Sequence, residues 1–226
     1  MARINIMNNA AASLTLDPGA SGDSEIQFSL PPVPTPTWSL GVDDTDGDAF
    51  KLSQGSAIGT NDTWVITAAG EITKPLQPSF YAYLGSTDAN VTGDGTDYTI
   101  GTSTALTEVY DINGDFNTNG TFTAPVTGTY EFSMFVYFGA LTSSHTGYFG
   151  TFNASNHDVT CGFQNPYAGR YDPGTTDNFA LRSSCYVQMD ASDTMNFKID
   201  VSITGKTVDL LSGANDTTVI LGFLVL

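Results

Sequence analysis

Two aspartate-rich loops are the stretches of this sequence whose residue spacing could bind a metal ion. Asp44, Asp46 and Asp48 alternate within the run DDTDGD, as the first carboxylate ligands of an EF-hand loop do. The twelfth position from Asp44 is Gly55, where that loop requires a bidentate glutamate. The near-match at 111–115 fails in the same way. Asx-rich turns between strands explain both runs, so we predict no metal site and keep the three aspartates only as calcium candidates.

Residues for nucleophilic or acid–base catalysis are not grouped in the sequence. His145 and His157 are the only histidines, and both lie in loops rich in Ser, Thr and Asn. No HExxH, GxSxG, phosphate-binding-loop or Cys–His pattern is present, and no carboxylate pair is singled out for glycoside hydrolysis. The sequence therefore predicts a protein that is not an enzyme and needs no cofactor.

Cys161 and Cys185 are the only cysteines. They could form a disulfide if their strands are neighbours, but the pattern favours two buried thiols.

Charge and hydropathy limit the classes of partner. The 226 residues have a net charge of −17, and no Lys or Arg lies between Lys74 and Arg170. Such a surface repels nucleic acid and anionic membranes, although it leaves a basic partner open. The longest apolar run, 219–226, is too short to span a bilayer, and Asn residues interrupt the amino-terminal apolar run, so we expect neither membrane insertion nor a signal peptide.

The elements that must position any site are strands. In the stretch TFTAPVTGTYEFSMFVYF (121–138), Tyr130, Phe132, Met134, Val136 and Phe138 alternate with a second face that contains Phe135 and Tyr137. No window shows a helical period, and β-branched, aromatic and turn residues dominate. The predicted fold class is all-β.

Turn signals divide the chain into three parts. Residues 1–37 form an irregular segment with a Pro-rich linker at 31–36, in which 3–6 and 25–30 could be short strands. Residues 38–74 hold predicted strands at 38–42, 49–53, 63–67 and 71–73, too few for an independent core. Residues 75–226 form the main domain, a predicted jelly-roll β-sandwich. Its predicted strands are 79–84, 98–100, 106–110, 121–124, 128–138, 147–153, 159–164, 179–189, 194–202 and 217–226.

The sequence of residues 38–74 resembles a stem segment of bacteriophage tail-fibre and other virion-appendage proteins. The resemblance rests on a combination of residues: Trp38, Gly41, Asp43, Asp46, Phe50, Gly59 and Gly70. It implies a short intertwined β stem in which three chains share one core.

The main domain resembles the globular head of complement component one, subcomponent q, which shares its fold with the tumour necrosis factor family. The matching residues are Asn113, Phe122, Pro125, Gly128, Tyr130 and Phe132, with similar opening (78–82) and closing (220–224) strands. The resemblance implies a jelly-roll head that forms a homotrimer. The absence of a collagen repeat and the longer 154–180 region give no reason to expect complement activity.

The last strand supports the same oligomer on physical grounds. Residues 217–226 do not alternate polar with apolar, so one face would keep about four large apolar side chains in water, at a cost of roughly 1.5–3 kcal/mol each. A threefold axis would bury them. The candidates for that axis are Phe135, Tyr137, Leu221, Phe223 and Val225.

One loop has the composition of a contact surface. Residues 164–179 (QNPYAGRYDPGTTDNF) include Tyr167, Arg170 and Tyr171, residue types that anchor interfaces and recognise sugars. The alternative is that its aromatic residues cover the edge of the sandwich.

These features predict a virion structural protein, a short homotrimeric fibre. Residues 1–37 would attach it to another virion protein, and the head would contact a host-surface glycan or protein. The alternatives are a capsid decoration or head-fibre protein without a receptor, and a secreted bacterial adhesin or ligand of the same fold.

Overall fold

The computed structural model describes residues 15–19, 21–30, 37–155, 160–165, 177–202, 205–214 and 217–225. The chain divides into two compact units, Met1–Leu76 and Gln77–Leu226. The regular elements of the described residues are strands, apart from one 3₁₀ turn at Asp44–Asp46. No helix in this described part of the chain is long and apolar enough to cross a membrane. The predicted all-β class is confirmed.

The described residues of the first unit form a five-stranded antiparallel sheet in sequence order. Its strands are β1 (Ser24–Phe28), β2 (Trp38–Asp43), β3 (Ala49–Gln54), β4 (Asp62–Ile66) and β5 (Ile72–Thr73). The described part of the predicted attachment segment thus supplies β1, which pairs with β2 over five residues. The predicted strand at 3–6 and the Pro-rich linker lie outside the described residues.

The two sides of this sheet differ in polarity. Paired residues share a side, so the registers place all the large apolar residues of the five strands except Val65 on one side. We call this set the apolar wall: Ile26, Phe28, Trp38, Leu40, Val42, Phe50, Leu52, Trp64, Ile66 and Ile72. The other side contains Ser39, Gly41, Lys51 and Ser53, with Asp43 paired to Ala49 at its end.

The described residues of the second unit form thirteen strands in two sheets. They are β6 (Ser79–Leu84), β7 (Asp88–Thr92), β8 (Tyr98–Thr99), β9 (Leu106–Ile112), β10 (Phe116–Asn117), β11 (Thr121–Thr123), β12 (Gly128–Leu141), β13 (Thr146–Ala154), β14 (Thr160–Asn165), β15 (Asp177–Met189), β16 (Thr194–Ser202), β17 (Val208–Leu210) and β18 (Val219–Leu224). Each of the ten predicted strands overlaps an observed one.

The strand order of this unit is that of a jelly roll. Eight strands form its frame: β6, β11, β12, β13, β14, β15, β16 and β18. Within the frame the first pairs with the eighth, the second with the seventh, the third with the sixth and the fourth with the fifth. Such nested pairing is a long hairpin folded over into two facing sheets, so the jelly-roll prediction is confirmed.

Aromatic side chains from both sheets fill the space between them. The Phe80 ring on β6 stacks on Phe116 at a centroid distance of 4.3 Å and meets Phe197 of the facing sheet edge-on at 6.1 Å. Phe122 lies 5.4 Å from the rings of both Tyr130 and Phe132. The inward face predicted for β12, from Tyr130 to Phe138, is fully buried.

The cysteine prediction was wrong for Cys185, which is disulfide-bonded. Cys161 is the only other cysteine of the chain, and its side chain lies outside the described residues. The alternation of residue types within a strand could not reveal the disulfide bond of Cys185. Such alternation does not show which sheet a strand joins, and β14 and β15 lie at the edges of different sheets although they are consecutive in the chain.

Candidate self-association face

The outer face of the sheet formed by β9, β6, β18, β12 and β15 brings together most of the predicted axis residues. Registers fix two rows across it. One row pairs Ser133 with Leu221, and Leu221 with Tyr81, which faces Tyr110. The next row joins Phe135, Val219 and Tyr83. We call this surface the outer face. It is largely apolar because most of the side chains that point away from the core on these strands are aromatic or aliphatic.

Half-buried rings shape the centre of the outer face. Phe135 and Tyr137 meet edge-on with centroids 4.7 Å apart, and Tyr81 and Tyr110 stack at 6.2 Å. A shallow groove of about 210 Å³ lies beside Phe135. It is lined by Ser133, Met134, Phe135, Arg182, Val219 and Leu221.

Apolar side chains continue to the margins. Phe223 is 37% exposed, Tyr110 48% and Tyr186 63%. A hydrogen bond and the negative charge of Glu131 raise the pKa of the Tyr186 phenol. Leaving a large apolar side chain in contact with water costs a free energy of roughly 1.5–3 kcal/mol relative to burying it fully. The centre of the outer face can therefore bind another apolar surface, and the charged side chains of Glu131 and Arg182 lie beside its apolar residues on β12 and β15.

The axis candidates are placed as follows. Phe135, Tyr137, Leu221 and Phe223 lie on the outer face, and Val225 follows β18, where its backbone N–H donates to the Thr129 carbonyl. Sequence reasoning missed Tyr81, Tyr110 and Tyr186, which complete the face. The alternation SFYAYL in β6, with aromatic residues on both sides, is the signal that could have identified the first of them.

Only one of the three calcium candidates, Asp46, belongs to an acidic cluster, and the centre of that cluster is the side chain of Lys51. Lys51 Nζ lies 2.8 Å from Asp43 Oδ2, 2.6 Å from Asp46 Oδ2 and 3.1 Å from Asp62 Oδ2, and its side chain is only 4% exposed. Asp44 and Asp48 are exposed, and the Asp44 N–H donates to Asp23. In the described ranges no group of three or more His, Cys, Asp or Glu side chains is placed to hold a metal.

Ion pairing dominates the titration of this cluster. The hydrogen bond from Lys51 holds the pKa of Asp43 below its ordinary value. Burial alone would raise the pKa of Asp62, but hydrogen bonds from Ser53, the Gly59 N–H and Lys51 outweigh it and lower that pKa. Burial would likewise lower the pKa of Lys51, and its three carboxylate partners raise it instead. Sequence reasoning missed this lysine, although a charged residue inside the alternating strand AFKLSQ was a signal.

The second aspartate-rich run is an internal turn. Both Asp111 carboxylate oxygens accept backbone N–H groups, from Asp115 and Phe116. Burial, and then the charge of Asp111, raise the pKa of Asp115, which lines a polar cavity of about 500 Å³.

His145 has a structural role: the Thr142 N–H donates to its Nδ1, and burial lowers its pKa. His157 lies outside the described residues, as do the contact candidates Tyr167, Arg170 and Tyr171.

Comparisons with known proteins give structural similarity only. No protein-family model matches the sequence, and no curated protein matches it. The globular domain of zebrafish complement 1qA protein is similar at 15% identity, over 66% of this chain and 98% of that one, with a TM-score of 0.44. Murine APRIL crystallised at pH 8.5 is similar at 12% identity, over 66% and 99%, with a TM-score of 0.42. The pH 8.0 crystal of murine APRIL gives 9% identity, the same coverage and a TM-score of 0.40.

Proposed function

We propose that this chain is a non-enzymatic structural protein that assembles into a homotrimer through the outer face of its jelly roll. One observation carries the proposal: the face opposite to the core on β6, β12 and β18 is itself apolar and partly exposed. A solitary jelly roll would bury that face or make it polar. Cyclic assembly covers it with identical copies and leaves the acidic surface to water.

The finer role proposed is a short fibre on a virion. The support for it is the sequence resemblance of residues 38–74 and of the main domain, not the fold itself. In this role residues 1–37 attach the fibre to another virion protein. The head points outward, and Tyr167, Arg170 and Tyr171 contact a host-surface glycan or protein. Immunogold labelling of particles with an antibody against this protein tests the location. Gold on the capsid would indicate a decoration protein, and particles without gold would indicate a secreted adhesin.

Sedimentation of the full chain tests the assembly. We expect the mass of three chains at low micromolar concentration, and a stable single chain would refute the proposal. Phe223→Asp places a charge on the outer face, so its trimer should dissociate at concentrations where the parent stays associated. Val126→Asp is the matched control, because Val126 is 46% exposed in the turn before β12, outside the two rows. Equal dissociation of both variants would count against this face.

A further inference from the structure

The first unit buries the polar side of its sheet and leaves the apolar wall in water. Lys51 is 3% exposed and Ser39 and Ser53 are fully buried, whereas Phe50 is 38% and Trp64 39% exposed. This is the reverse of the pattern of a sheet that covers its own core. In the part of the chain that the structure describes, the wall is therefore the side of this sheet that is open to a partner.

The polar side needs no partner, because the chain covers that side itself. The loop at 55–61 lies against it: Ser39 Oγ donates to the Gly55 carbonyl at 2.9 Å, and Gln27 Nε2 donates to the Ser56 carbonyl at 2.6 Å. Ile58 of the same loop is 5% exposed. Of the two sides of this sheet, as far as the described residues show, the wall is the one that is open to another molecule.

We infer that the apolar wall packs against the walls of two further copies of this chain, as one side of a three-sided β prism. The inference rests on the proposed homotrimer and adds a second, separate contact to it. In this arrangement each copy contributes one sheet, in which β1 to β5 pair with one another in sequence order. Three self-contained sheets would then lie side by side, whereas the stem suggested by the sequence resemblance has three intertwined chains.

Charge and tethering favour a second copy as the occupant. The chain has a net charge of −17, so two copies repel each other wherever their acidic surfaces meet. No charged residue belongs to the wall, which makes it a place where copies can approach without that cost. Three main domains held together would also keep three walls at an effective concentration on the order of millimolar.

The width of the sheet fits the three copies of the proposed homotrimer. Five strands about 4.8 Å apart give a wall roughly 20 Å wide, and three such walls enclose a prism with each wall about 6 Å from the axis. Packed sheets lie about 10 Å apart, so side chains fill about 5 Å from each, and the prism closes without a void.

The test uses the two tryptophans of the chain, Trp38 and Trp64, because both belong to the wall. Acrylamide quenching of their fluorescence is measured on the full chain at the concentration used for sedimentation. We expect the mass of three chains, blue-shifted emission, and a quenching constant several-fold lower than that of a Leu52→Asp chain. Leu52 is central to the wall, and Thr73→Asp, on the polar side, is the control that should quench like the parent.

The outcomes separate this inference from the proposed function. A trimer whose tryptophans quench as readily as those of Leu52→Asp overturns the prism and leaves the outer-face proposal standing. A single chain, or a dimer, overturns both. Low quenching in the Leu52→Asp chain would also overturn the prism. Trp38→Phe and Trp64→Phe keep the wall apolar, so a trimer of either with a readily quenched remaining tryptophan contradicts the inference even if Leu52→Asp fails to fold.

Discussion

A single lysine organises the buried polar side of the first unit. Lys51 is surrounded by Asp43, Asp46 and Asp62, so one cation is shared by three carboxylates in a nearly dry position. Desolvation of such a group is costly unless every partner is in place. The cluster is thus a feature that makes the fold of this unit depend on the ionisation of its aspartates.

Acid should unfold the first unit before the second. The pKa values of Asp43 and Asp62 are lowered in the folded state, so their stabilisation is present above the ordinary aspartate pKa of about 3.9 and is lost as pH falls below it. The raised pKa of Lys51 contributes stability at all pH values below about 10.4, so it does not change in this range. Trp fluorescence should therefore change as pH falls below about 4.

In the pH range where aspartates titrate, two carboxyl groups of the second unit respond in the opposite direction, whereas the lowered pKa of His145 costs that unit stability at higher pH, once pH falls below about 6.5. Burial raises the pKa of Asp115 and of Asp200, so protonation of these groups stabilises this unit as pH falls. All ten tyrosines lie in the second unit and both tryptophans in the first, so near-ultraviolet circular dichroism separates the two. Loss of the tyrosine signal at a higher pH than the tryptophan signal would contradict this account.

At the scale of elements, long alternating strands were predictable and short irregular ones were not. β16 was predicted with its observed bounds because its alternation is unbroken. β12 extends three residues past the predicted end, across a register shift where Ala140 has φ 57°. β7, β10 and β17 were missed, since strands of two to five residues are held by their neighbours and not by their own periodicity.

Part of the candidate site was equally predictable. Alternation in β12 and the unbroken apolar run at the carboxyl end indicated Phe135, Tyr137, Leu221 and Phe223. The contribution of Tyr110 depends on pairing between β6 and β9, which includes a bulge after Tyr81. No local pattern encodes which strands become neighbours, so that part of the outer face required the structure.

Gly222 is a position in β18 where the packing of the core leaves no room for a side chain. An added Cβ would lie 2.5–2.7 Å from ring carbons of Phe132 and Phe80, both fully buried. Gly222→Ala should therefore force these rings apart and destabilise the second unit by about 1–3 kcal/mol. Gly213→Ala is the control, because nothing lies within 4 Å of its Cβ position. Urea unfolding, monitored through the tyrosine signal, measures the stability of both variants. Equal urea midpoints for the two would show that the rings of Phe132 and Phe80 can move apart without a loss of stability.

At the scale of the whole molecule, the two proposed contacts are linked through one chain. The outer face belongs to the second unit and the apolar wall to the first, so each can hold the trimer while the other opens. Linked contacts of this kind give an avidity greater than either affinity, because the second contact forms within an existing complex. This arrangement predicts how charged substitutions should combine.

Phe223→Asp and Leu52→Asp should each raise the concentration at which the trimer dissociates, and each should leave some association through the other contact. The double variant loses both, so it should sediment as a single chain over the range in which the single variants still associate. Val126→Asp with Thr73→Asp is the matched double control and should keep the mass of three chains. If Phe223→Asp alone already abolishes association, the apolar wall contributes nothing to assembly. If the double variant stays trimeric, neither face holds the copies together.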